Sequence, residues 1–141
     1  MEFPIVLCID ERQDRMHVCK GVLESNGFCV ETASNGQDSL QVLEQTPVDA
    51  VLLEYKRERK DTESLACRIN QQFPNVPIIL LSAYFDMPEQ ILWLVDEYVM
   101  KSELPESLAS VVDRVTRRTK MDETLTFAVT TRDRNLQFPA A

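Results

Sequence analysis

Five chemically capable side chains stand directly behind short apolar runs: Asp10 and Glu11 after Ile5 to Ile9, Glu54 after Ala50 to Leu53, Ser82 after Ile78 to Leu81, and Lys101 after Tyr98 to Met100. If those runs lie side by side, three carboxylates, a hydroxyl and an ammonium meet at one rim. Asp10, Glu11 and Glu54 would then offer hard oxygen ligands of the kind Mg2+ or Ca2+ accepts. Taken singly, each is also what a buried strand leaves where the chain reaches water. Their joint placement carries the information.

The elements that must position them can be read from the spacing of apolar residues. The four runs have strand length and are rich in β-branched residues, as suits strands covered on both faces. Phe28 to Ala33 is a fifth, weaker strand, entered through Asn26-Gly27 and left at Asn35-Gly36. Between them lie helical stripes. Met16, Cys19, Val22 and Leu23 share one face of a helix over Gln13 to Ser25, which Gly27 is placed to end. Leu40 and Leu43 mark a second helix closed by Pro47, and Leu65, Ile69 and Phe73 a third that stops before Pro74. Asp86 can cap a fourth carrying Ile91, Leu92 and Val95. The fifth has Leu104, Leu108, Val111, Val112 and Val115 on one face, with Pro105 in its first turn.

Strand and helix alternate five times, which implies a parallel sheet with right-handed crossovers and helices on both faces. The expected fold is a three-layer, doubly wound (βα)5 domain. Its crevice should lie outside the carboxyl ends of the strands, where the five residues stand.

The strings IVLCIDE, VDAVLLE, VPIILLSA and EYVMK, each in order, make residues 3 to 118 similar to the receiver domains of two-component response regulators, the CheY-like fold. The resemblance implies a strand order of 2-1-3-4-5. It makes Asp10 and Glu11 the acidic pair that helps hold Mg2+, Glu54 the position of the phosphate-accepting aspartate, Ser82 the hydroxyl and Lys101 the lysine of that family's site. Tyr98 matches the aromatic that changes rotamer between the family's inactive and active states.

Glu54 is the main departure. An acceptor aspartate attacks phosphorus in line, with Mg2+ neutralising the developing charge. One extra methylene moves the nucleophilic oxygen by roughly a bond length, and a misplacement of about 1 Å can cost on the order of 10²-fold in rate. The loop after the third strand carries Lys56, Arg57, Arg59 and Lys60 where the family has a Met-Pro pair and a Gly-bearing turn, and Ser102 replaces a common proline. The stretch from Ser82 to Lys101 is shorter than usual, so a truncated or reshaped fourth helix is expected.

Two readings of Glu54 stay open. Its carboxylate could lie near Lys101 and Ser82 and partly imitate an acyl phosphate, although a phosphoryl group carries about −1.5 to −2 charge and three acceptor oxygens. Alternatively it pairs with Lys101 or a loop arginine and merely keeps the rim neutral. For the metal, weak Mg2+ binding at Asp10, Glu11 and Glu54 competes with salt bridges from Lys56 or Arg57 to the same carboxylates.

Composition sets the outer bounds. With 141 residues the chain has the size of one domain, and its net charge of −8 argues against direct nucleic-acid binding, which rests on clustered Lys and Arg. Cys8, Cys19, Cys29 and Cys67 contain no CxxC pair and are read as reduced core residues. No segment has the length of a membrane span and no basic-then-apolar leader is seen, so a cytoplasmic location is expected. His17 is expected to be exposed, and Trp93 to pack beside the fourth helix, an exposed anchor being its alternative. Residues 119 to 141 read as a tail, partly disordered, in which Leu125 to Val129 could form an extra strand or a docking segment.

The expected function is a receiver-like signalling module that works through protein contacts, largely independent of aspartyl phosphorylation, rather than an enzyme, and it needs no cofactor. It would contact a kinase, an output domain or another signalling protein through the fourth helix, fifth strand and fifth helix, with a homodimer as one form of that contact. The alternatives are a phosphorelay receiver that still accepts phosphoryl groups with Mg2+, and a doubly wound domain binding a small ligand. No Gly-rich phosphate loop supports the last.

Overall fold

The computed structural model describes residues 3–55, 61–101 and 107–117. In chain order the elements are β1 (Ile5–Ile9), α1 (Gln13–Ser25), β2 (Cys29–Ala33), α2 (Gly36–Gln45), β3 (Ala50–Glu54), α3 (Asp61–Gln72), β4 (Ile78–Ser82), α4 (Glu89–Leu92) and β5 (Glu97–Met100), followed by α5 over 108–117. The five strands form one parallel sheet in the order β2-β1-β3-β4-β5. The expected doubly wound (βα)5 fold and strand order are therefore observed.

The continuous apolar runs divide by parity into two cores. Leu7, Ile9, Val51, Leu53, Ile78 and Leu80 pack on one face with Leu40 and Leu43 of α2, Ile69 of α3 and Ile91 of α4. Their sequence neighbours Val6, Cys8, Ala50, Leu52, Ile79 and Leu81 pack on the other with Cys19 and Leu23 of α1 and Leu108 and Val112 of α5. A strand buried on both faces has no room for the polar-apolar alternation of a half-exposed one.

Local punctuation acts as the residue types dictate. α1 ends in a Schellman motif: Gly27, at φ 88°, donates its N–H to Glu24 O, and Phe28 donates to Leu23 O. Asn35 caps α2 by accepting the Asp38 N–H at 2.8 Å. Asp49 and Asp96, each just ahead of a strand, receive the N–H of the first residue of the neighbouring strand, Ile5 and Ile78, both at 2.8 Å. Their own N–H groups donate back to Ile5 O and Ile78 O.

Three sequence expectations need correction. α4 is a single turn, shortened as expected, but its N-cap is Pro88, not Asp86, and Val95 lies beyond its end. The turn begins after Pro88 and ends four residues before Asp96, which is tied to Ile78 of β4. Trp93 does not pack: it is 79% exposed. Of the cysteines, Cys8 and Cys19 are buried, but Cys67 is only partly so and Cys29 is exposed, because β2 is an edge strand covered unevenly. His17 is exposed, as expected. Leu104, Pro105, the loop residues 56–60, Ser102 and the tail over 119–141 lie outside the described residues. No helix among the described residues is long and apolar enough to cross a membrane.

Candidate functional site

Strand parity aims the rim. Glu54 continues the Ala50-Leu52 side of β3, and Lys101 continues the Val99 side of β5, so both side chains leave the sheet toward α1 and α5. They meet across the end of β4 in an ion pair between Lys101 Nζ and Glu54 Oε1. The Glu54 side chain is 3% exposed and that of Lys101 25%, so the carboxylate sits inside the protein while the ammonium closes it off from water. At such burial the attraction is screened far less than at a surface, and removal of either partner would leave a costly charge.

Ser82 takes the other parity, after Ile78 and Leu80. Its hydroxyl accepts the Tyr84 N–H at 2.9 Å and donates to Tyr84 O at 3.1 Å, closing the start of loop 83–88 on itself. Tyr84 in turn meets the buried Tyr55 edge-on, with ring centroids 6.2 Å apart. Of the residues expected to converge, Glu54 and Lys101 form the ion pair, and the Ser82 hydroxyl is bonded to the backbone of Tyr84. The sequence reading missed Tyr55 and Tyr84; the aromatic pair, one residue past Glu54 and two past Ser82, was the available signal.

Asp10 is buried, and its Oδ1 accepts the Arg12 N–H at 2.9 Å. Together with Glu11, Glu54, Ser34, Asn35 and Asp61 it lines a crevice of about 120 Å³ at the strand ends. The three predicted metal-ligand candidates therefore border one space. Yet among the described residues no three His, Cys, Asp or Glu side chains are placed to hold one ion. The fit to Mg2+ among the described residues is incomplete.

Beneath the rim, Cys8 and Cys19 approach Asp10 and Glu54 from β1 and α1. Burial pushes the Cys8 thiol up to about 12, helped by the neighbouring Cys19 and by Asp10. Burial also raises Cys19, with Asp10 and Glu54 adding and Lys101 opposing. Both thiols are held protonated and unreactive. Tyr98 is 46% exposed and points outward, on the side of its register partner Leu80.

Comparisons with known proteins agree with this geometry. Residues 6–113 match the response regulator receiver domain. The chain is 30% identical over 99 residues to a probable transcriptional regulator, ycf27, of Guillardia theta, covering 68% of this chain and 39% of that protein. It is 27% identical over 81 residues to a putative NtrX-like response regulator of Rickettsia bellii, covering 56% and 17%. It thus spans less than half the length of these curated relatives. Among solved structures, the response regulator TrrA of Thermotoga maritima, in complex with Mg(2+)-BeF, superposes with a TM-score of 0.73 at 26% identity, over 80% of this chain and 99% of that one. A CheY-like receiver domain of Methanospirillum hungatei gives 0.76 at 18% identity, over 86% and 99%, which speaks for the fold alone. The chain belongs to the response regulator receiver domain family, the modules of two-component signal transduction.

Proposed function

We propose that this receiver domain signals through protein contacts without aspartyl phosphorylation, its strand-end rim held in one arrangement by the Glu54–Lys101 ion pair. The observation that carries the reading is the buried Glu54 carboxylate at the acceptor position, already engaged by the lysine. A phosphoryl group arriving there would meet a nucleophile displaced by one methylene and a cation already committed. Both effects act against in-line transfer.

The arrangement held is the one with Ser82 bonded into its own loop and Tyr98 turned outward. Glu54 in this reading holds Lys101 while the Ser82 hydroxyl is bonded to the Tyr84 backbone. It therefore imitates the charge of a phosphorylated site and not its full hydrogen bonding. The receiver unit is residues 1–118, with 119–141 as an appended segment. Its partner, a kinase, an output domain, another signalling protein or a second copy, would dock on α4, β5 and α5. Such a module acts in the cytoplasm and performs no catalysis of its own.

Incubation with acetyl phosphate and Mg2+, followed by intact mass measurement, tests this. The wild type should gain no phosphoryl mass. Glu54→Asp, which restores the shorter carboxylate, should gain it if the rest of the pocket is competent. A stoichiometric gain on the wild type would favour the phosphorelay alternative and end the proposal.

A further inference from the structure

α4 is one turn long, and it leaves apolar surface on the outer flank of the sheet. Ile91 is fully buried, but the next two residues, Leu92 and Trp93, are 38% and 79% exposed, and Tyr98 on the adjoining edge strand is 46% exposed. β5 is the last strand of the sheet, so its outer edge pairs with no strand among the described residues. A tryptophan this exposed beside a leucine and a tyrosine is the composition of a contact surface.

The occupant can be argued from where the chain goes next. Arg114, in the last turn of α5, pairs with Glu97 at the first residue of β5 at 3.0 Å. α5 therefore ends beside the start of β5, a few residues from Trp93 along the chain. Residues 118–141 continue from that point. Seven residues lie between Arg117 and Leu125, so the Cα-to-Cα path can span up to roughly 27 Å when extended. The segment Leu125-Thr126-Phe127-Ala128-Val129 is the apolar stretch that follows.

We propose that Leu125–Val129 folds back over the β5 edge and packs on Leu92 and Trp93, with Phe127 as the principal contact. The packing is through side chains. A sixth strand parallel to β5 and reached through α5 would need a left-handed crossover, because α5 lies on the face opposite α3 and α4.

Trp93 is the only tryptophan of the chain, so its fluorescence reads the contact directly. The full chain is compared with a chain ending at residue 119 and with full-length Phe127→Asp, which guards against a truncation that fails to fold. Emission of the wild type is expected at shorter wavelength, with lower access to iodide, and both variants should lose these features. A peptide of residues 119–141 added in trans should restore them to the truncated chain. Equal emission and equal quenching in wild type and Phe127→Asp would overturn the proposal. So would a protection of Trp93 that vanishes on dilution, which would assign the surface to a second copy instead.

Discussion

On the β2 and β1 side of the sheet, α1 and α2 run for 13 and 10 residues and close their ends with a Schellman turn and an Asn cap. On the β4 and β5 side, α4 runs for 4 residues, begins after a proline and leaves Trp93 and Tyr98 in solvent. The strands differ little between the two sides; the covering does. A parallel sheet needs both faces covered, and where one helix shrinks, the remaining cover rests on very few side chains. One side of the domain is finished, while the other offers surface to a partner or to the chain itself.

The comparison is sharpened most by truncating the buried residue of the short helix. Ile91→Ala should cost about 2–5 kcal/mol in urea unfolding, as much as Ile69→Ala in the full-length α3, since both side chains are fully buried. Leu92→Ala, at a position 38% exposed, should cost clearly less, about 0.5–1.5 kcal/mol. Equal losses at 91 and 92 would mean that Ile91 is not the residue that anchors α4 to the core.

A smaller effect is expected at the opposite rim, where the two sides are built alike. Asp49 and Asp96 each hold the first N–H of the adjacent strand. Asp49→Ala and Asp96→Ala should each cost about 1–2 kcal/mol, the worth of a hydrogen bond to a charged acceptor at a partly exposed site. A much larger loss for Asp96 would show that this bond also sets the length of α4.

The smallest effects concern the thiols. Under native conditions an alkylating reagent should label Cys29 first, Cys67 more slowly, and Cys8 and Cys19 only on unfolding. Because Cys8 is raised from 9.0 to about 12 in the fold, its contribution is complete below pH 9 and declines as pH rises from 9 toward 12, where the unfolded thiol ionises and the folded one does not. Cys8→Ala, though less stable, should lose less stability than wild type over that range. An unchanged alkaline slope would contradict the burial of this thiol.

Most of the fold was legible because its causes are local. Gly27 behind the Met16-Cys19-Leu23 stripe sets the end of α1, and the unbroken apolar runs of β1, β3 and β4 announce strands covered on both sides. What was not legible depends on three-dimensional neighbours. Ile91, Leu92 and Val95 have helical spacing, but the helix they belong to is cut short by Pro88 at one end and the Asp96 anchor at the other. The exposure of Cys29 follows from β2 lying at an edge, which the residues of β2 alone do not state. For the site, the meeting of Glu54 and Lys101 follows from strand ends and parity, whereas the turning of Ser82 into the Tyr84 loop depends on backbone geometry that no residue type announces.

The central claim is that a buried ion pair between Glu54 and Lys101 holds the rim. A double-mutant cycle with Glu54→Gln, Lys101→Met and the combined variant measures it directly in unfolding free energy. Each single change should cost about 3 kcal/mol, since it strands a buried partner. The double variant should cost clearly less than the sum, leaving a coupling of about 1–3 kcal/mol. Strict additivity would mean that the two charges do not hold each other, and the account of the rim would fail.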